Sequence, residues 1–303
     1  MIDWLLHSLR SFLIWPGLFS AALLGWLLLW ISRKLIARAQ RRIGPPFYQP
    51  FFDFLKLMGK RTLLPNAMSP ALYFGLPLAA VTAITLVLAM LPLPGNTVRS
   101  FNGDLILVLY LLEVPAFCDI LAGYASRSIY GQVGSSREAA LVLGYSLPLL
   151  GSVIALAVQA GSFRLADLLA QPFGLVHVLA ILTFLLAVPA RIKSNPFSIP
   201  NAEQEIVAGA HIEYNGPALA LFELAHALEL SSIGLLFGLL FVRVPGSSLG
   251  LLAGCLAAAL LLVVVTSLLA ASTARLQIHR AFRFYWTWGA AAAAICVLAA
   301  VIL

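Results

Sequence analysis

The sequence predicts an all-α polytopic membrane protein, with about eight transmembrane helices and one amphipathic helix at the membrane surface. Three observations carry that expectation. The 303 residues are 61% hydrophobic and 10% charged, with mean hydropathy +0.97, whereas a soluble domain is about 25% charged. Apolar runs of about 20 residues, the length that crosses a bilayer as a helix, recur along the whole chain. The runs are continuous rather than alternating, which argues against a β-barrel, the other backbone solution in lipid.

In chain order the expected spans are 14–32, 70–92, 104–123, 139–160, 173–190, 218–241, 248–271 and 284–303, all in one membrane domain covering 1–303. The fifth is short, and Phe163–Gln171 before it reads as an interfacial segment. Ahead of the first span, Arg10 and a short apolar start without a small-residue cleavage site read as a helix lead-in rather than a cleaved signal.

Basic residues set the expected orientation. With both termini outward, the inward loops 33–69, 124–138, 191–217 and 272–283 carry 15 of the 19 lysines and arginines. That bias marks the cytoplasmic side of an inner membrane. It also accounts for the net charge of +7, so no nucleic-acid partner is expected.

The first inward loop contains "GPPFYQPFFDFLKLMGK". Phe51, Phe54, Leu55 and Met58 recur at helical spacing with Asp53, Lys56 and Lys60 among them, the pattern of an amphipathic helix over about 47–60. Phe47, Tyr48, Phe51, Asp53 and Lys56 are candidates for docking a soluble arm. A plain basic stop-transfer loop is the competing reading.

Carboxylates within spans are the chemical signal. Glu113 and Asp119 fall in the third span, and Glu223, His226 and Glu229 in the sixth. A charge at the bilayer centre costs at least about 2.5–3.5 kcal/mol, so such groups face a bundle interior, water or each other. Steps of three residues turn 300°, which lays 223, 226 and 229 on one slanting stripe about 120° wide. Carboxylates and histidines on one face can pass protons, or they can join helices by hydrogen bonds; the residues alone leave both open. Glu138 stands at the expected start of the fourth span, where a helix N-terminus also favours a carboxylate. The loop Asn195–Pro217 adds Glu203, Glu205 and Glu213, three of only twelve acids.

The soluble-enzyme motifs of phosphate-binding, dinucleotide-binding, zinc-protease and serine-hydrolase sites are all missing from the sequence. Cys118, Cys255 and Cys296 are isolated, so no metal or iron–sulfur site is expected in this chain.

Three stretches, "QRRIGPPFYQPFFDFLKLMGK", "GYASRSIYGQVGSSREAA" and "NPFSIPNAEQEIVAGAHIEYNGPALALFELAHALEL", together resemble the respiratory complex I subunit 1 family. Within it the wording is similar to the membrane-bound group 4 nickel–iron hydrogenase branch, of formate hydrogenlyase and energy-converting type. Ser198, Asn201 and Ser146 stand where complex I members usually carry acids. The resemblance implies a proton-coupling junction subunit of an oxidoreductase complex, non-catalytic alone. Its partners would be hydrogenase small and large subunits, carrying iron–sulfur clusters and the nickel–iron centre, and antiporter-like membrane subunits. Glu203, Glu205 and Glu213 would then face the arm, and Glu113, Asp119, Glu138, Glu223, His226 and Glu229 would continue a proton path inward. Arg41, Arg42, Arg127 and Arg137 are the candidate counter-charges. A quinone-site subunit of complex I and a purely structural anchor are the alternatives.

Overall fold

The computed structural model describes residues 9–65, 68–96, 100–200, 205, 207, 209–242 and 248–302. Among them there are no strands, and seven helical stretches are long and apolar enough to cross a membrane. They comprise α1 (Leu18–Ala39), α3 (Pro70–Met90), α4 (Asp104–Ala125), α5 (Ile129–Ala160), α8 (Gly216–Phe241), α9 (Ser248–Ser272) and the run Ile278–Ile302. The last consists of α10 (Ile278–Phe284), a π-helical turn at Tyr285–Gly289 and α11 (Ala290–Ile302). The short fifth span is α7 (Leu175–Arg191), preceded by the short α6 (Leu165–Ala170) in the place of the expected interfacial segment. The amphipathic segment forms α2 (Gln49–Met58), with Pro50 in its first turn, where a missing N–H costs nothing.

Helix ends follow local chemistry. Ser69 caps α3 by accepting from Leu72 N, and Pro70 follows it. Before α8, Asn215 commits its side chain to the 61–65 segment instead of a cap. Its Oδ1 accepts from Leu63 N at 2.8 Å and its Nδ2 donates to Leu63 O at 2.9 Å.

α8 is the axis of the bundle and is buried along almost its whole length. It packs against α1, α2, α3 and α9, while α5 packs against α4, α7 and α11. Gly25 permits an especially close approach, because a Cβ there would stand 2.1 Å from the Ala227 carbonyl oxygen. Ser231 Oγ donates to Ala21 O at 2.7 Å across the same contact. Small residues are what allow helices to approach this closely in lipid.

Candidate functional site: a buried ion-pair chain

Two cations enter the bundle from the end of α7. Arg191, the last residue of α7, is 1% exposed. Its Nη1 donates to Tyr145 OH at 2.8 Å and lies 3.7 Å from Glu113 Oε2. Its Nη2 donates to Leu112 O and sits 2.8 Å from Glu229 Oε1, a close ion contact rather than an aligned hydrogen bond. Tyr145 OH in turn donates to Glu113 Oε2 at 3.2 Å. One guanidinium thus joins α4, α5, α7 and α8.

Lys193 follows two residues later. Its Nζ donates to Asp119 Oδ2 and lies 3.2 Å from Glu138 Oε1. Burial on its own would lower the Lys193 pKa; Asp119 and Glu138 outweigh it and raise the value above that of an ordinary lysine. Asp119 also meets His211 Nε2 at 3.0 Å, and the His211 ring stacks on Phe222 with centroids 4.4 Å apart.

His211 ends a 3₁₀ turn, Gly209–His211, that lies directly on α5. Gly134 makes room for it: a Cβ there would be 2.7 Å from Ala210 N and 2.8 Å from Gly209. The close approach of turn and helix is what brings His211 to Asp119.

The stripe on α8 keeps the expected order. Glu223 is exposed, His226 is half-buried and Glu229 is buried, with His226 Nδ1 3.8 Å from Glu229 Oε2. A 70 Å³ cavity touches all three, together with Asp119, Lys193 and His211. A second cavity, of 190 Å³, reaches Glu223 from the side of Arg33, Asp53 and Phe54. Glu113 Oε1 and Glu138 Oε2 are buried without a hydrogen-bond partner among the described residues. Buried lone pairs in that condition are expensive unless water or a proton satisfies them. Four carboxylates, Glu113, Asp119, Glu138 and Glu229, therefore share two fixed cations, Arg191 and Lys193, with exposed Glu223 beside them at the 70 Å³ cavity. With both histidines neutral, two negative charges of this cluster remain to be balanced, and bound protons can balance them.

Several expectations change. The main counter-charges are Arg191 and Lys193, not the four arginines expected from the loops. Arg41, Arg42 and Arg127 are exposed and reach no carboxylate among the described residues. Arg137 does meet an acid, Glu205, at 2.5 Å, at the surface. Glu138 is not at a helix start. α5 begins at Ile129, so Glu138 lies well inside it and is 2% exposed, its cation being Lys193 rather than a helix dipole. Glu213 is half-buried and has no ion-pair partner among the described residues. Glu203 and Asn201 lie outside the described residues.

The surface helix is anchored rather than free. Phe51 and Phe54 pack against Trp26 with centroids 5.1 and 5.5 Å away. Asp53 accepts from Arg33 at 3.3 Å and from Gln49 at 2.8 Å. Phe47, Tyr48 and Lys56 remain exposed. The cysteines are free and buried, and no group of three or more His, Cys, Asp or Glu among the described residues is arranged for a metal ion.

Sequence reasoning missed Arg191, Lys193 and Tyr145. A signal exists for the first two: they are the only lysine or arginine residues in the acidic inward loop 191–217. Their position at the end of a span disguises them as orientation markers.

A bundle of apolar helices with charged groups sunk between them defines an integral membrane subunit that holds charge between its helices. The chain belongs to the NADH dehydrogenase family, whose model matches residues 13–301, and it is the subunit 1-type membrane component of a complex I-like oxidoreductase. It is 30% identical to the H subunit of the NADH-quinone oxidoreductase of Dehalococcoides mccartyi, over 80% of this chain and 71% of that protein. It is 33% identical to the corresponding protein of Geobacillus kaustophilus, over 70% and 67%. Among solved structures it is similar to a chain of the membrane-bound sulfane sulfur reductase, an archaeal respiratory membrane complex. The TM-score is 0.88 at 31% identity, covering 97% of this chain and 99% of the other.

Proposed function

We propose that this chain is the proton-coupling junction of a membrane-bound nickel–iron hydrogenase complex. The ion-pair chain is the observation that carries the coupling role. Its two clusters, Arg191 with half-buried Glu113 and buried Glu229, and Lys193 with Asp119, Glu138 and half-buried His211, meet at the 70 Å³ cavity that exposed Glu223 also lines, at the end of the bundle where α2, the 192–200 segment and the 209–211 turn lie. Proton-sharing carboxylates there respond to a change of charge in an arm seated above them. Small and large hydrogenase subunits, with iron–sulfur clusters and the nickel–iron centre, form that arm, and Phe47, Tyr48, Phe51 and Lys56 of α2 face it. Antiporter-like subunits receive the coupling within the inner membrane, the termini lie outward, and the arm sits on the cytoplasmic side.

The hydrogenase branch is favoured by Ser198, Asn201 and Ser146, which stand where complex I members usually carry acids. Ser198 Oγ accepts from the Arg275 guanidinium, Nε at 3.2 Å, and donates to Asn195 Oδ1, so a hydroxyl rather than a carboxylate meets the cation at this position. A sulfur-reducing arm is the second reading, because the similar solved structure is a sulfane sulfur reductase.

The test is purification of the intact complex from its host membrane. Stoichiometric nickel with hydrogen evolution from a low-potential donor is expected. Nickel-free complex that releases sulfide from polysulfide selects the second reading. Quinone reduction blocked by a quinone-site inhibitor overturns both.

A further inference from the structure

A third cavity touches the ion-pair chain only at His226 and does not reach α2, and it is larger than both of those described above. It measures about 300 Å³ and lies where α1, α9 and the 192–198 loop meet, a volume at the small end of ligand sites. Its lining differs in kind from the other two. The 190 Å³ and 70 Å³ cavities are lined by Asp53, Asp119, Glu223 and Glu229; among the described residues no carboxylate lines this one.

One end is polar, with Arg275, Gln40, Ser194, Asn195 and Ser198. Arg275 is held by its Nε on Ser198, and its two Nη groups have no partner among the described residues. The loop carrying Ser198 is in turn tied to the Arg275 segment by Leu276 N donating to Pro196 O at 2.9 Å. The guanidinium fork is therefore positioned before any ligand arrives. The rest of the lining is mainly apolar, with Leu29, Ile36, Ile192, Leu230 and Val263, interrupted by Ser32, His226 and Thr266. α1 and α9 also turn exposed leucines outward, Leu23 and Leu27 on one and Leu260 and Leu261 on the other. The cavity thus sits at a seam between two helices that face the bilayer.

We propose that this cavity holds one anionic phospholipid of the surrounding bilayer. Its phosphodiester rests on Arg275 and the start of its acyl chains lies against Leu29, Ile36 and Val263. A guanidinium fork whose Nη groups have no partner among the described residues matches a phosphate bidentately, and the lack of a carboxylate among the described lining residues removes the repulsion an anion meets in the other cavities. The lipid also bears on the charged chain. His226 lines both this cavity and the 70 Å³ cavity, so a lipid here keeps bulk water from the His226–Glu229 pair on that side. This does not depend on which redox arm the complex carries.

The experiment is native mass spectrometry of the intact, mildly delipidated complex. Phosphatidylglycerol or phosphatidylcholine of matched chain length is added back, with and without inorganic phosphate. One phosphatidylglycerol is expected on this subunit, bound about five- to tenfold tighter than phosphatidylcholine. Arg275→Gln is expected to abolish that preference, and Val263→Phe, which fills the apolar end, to weaken both lipids. Equal binding of the two lipids to the wild type overturns the proposal, as does full retention of phosphatidylglycerol by both variants. Displacement by inorganic phosphate alone identifies a soluble-anion site instead, and displacement by a short-chain quinone identifies a quinone site; either overturns it. If Arg275→Gln does not assemble, the wild-type lipid ratio and Val263→Phe decide.

Discussion

Arg191 Nη2 stands 2.8 Å from Glu229 Oε1, joining α7 to α8 in the interior of the bundle. The same guanidinium reaches Tyr145 and comes within 3.7 Å of Glu113. Arg191→Met removes the one cation between two carboxylates. Breaking a buried pair by deleting one partner costs about 3–5 kcal/mol. A large fall in thermal stability of the purified complex, or failure to incorporate the subunit, is expected. Arg191→Met combined with Glu229→Gln is expected to recover part of the loss; no recovery would place the cost elsewhere.

Tyr145→Phe tests the link between Arg191 and Glu113 while keeping the ring. Hydrogen bonds to charged groups contribute about 1.5–3 kcal/mol. A stability loss of that order is expected, with a larger proportional fall in proton-coupled turnover than in uncoupled electron transfer. Equal falls in both activities would reduce the residue to packing.

Lys193 gives a prediction about pH. Its folded-state pKa is raised because Asp119 and Glu138 outweigh the opposing effect of burial. A raised lysine contributes stability that is fully present below the unfolded value of about 10.4 and is lost only as pH rises through the folded value. Lys193→Gln should therefore destabilise by the same amount at about pH 6 and about pH 9. Thermal melts at both pH values check this, and a penalty that shrinks by pH 9 would show the lysine already discharging.

Arg137 and Glu205 form the contrasting pair, with side chains 24% and 54% exposed. Surface pairs contribute about 0–1 kcal/mol. Arg137→Ala should leave stability within about 1 kcal/mol of the wild type, whereas Arg191→Met should not. Paired melts of the two variants measure the difference.

Gly134→Ala tests how the 3₁₀ turn is held. The added Cβ would stand 2.7 Å from Ala210 N, and overpacking of this kind costs about 1–3 kcal/mol. The turn must shift, and His211 with it, so the His211–Asp119 contact is expected to break. The nitrogen chemical shifts of the His211 ring should move toward those of a solvent-exposed histidine; unchanged shifts would show that the turn adapts in place.

Most of the architecture was legible along the chain. The spans follow from continuous apolar runs, and the surface helix and the polar stripe at 223, 226 and 229 from helical periodicity, because a helix in lipid satisfies its own backbone; the start of α5 at Ile129, ten residues before the expected span, did not. The assignment of charges was not legible. Arg191 and Lys193 stand at the end of an apolar span, where positive-inside statistics place ordinary orientation markers. Their burial follows from α7 packing against α5 and from the short reach of the 192–200 segment. Their partners are far away in sequence: Arg191 bonds Leu112 across 79 positions, and Lys193 bonds Asp119 across 74. Local pattern fixes which residues lie in a helix and on which face. Which acid meets which base depends on the mutual rotation and depth of four packed helices, a property no single stretch of sequence contains.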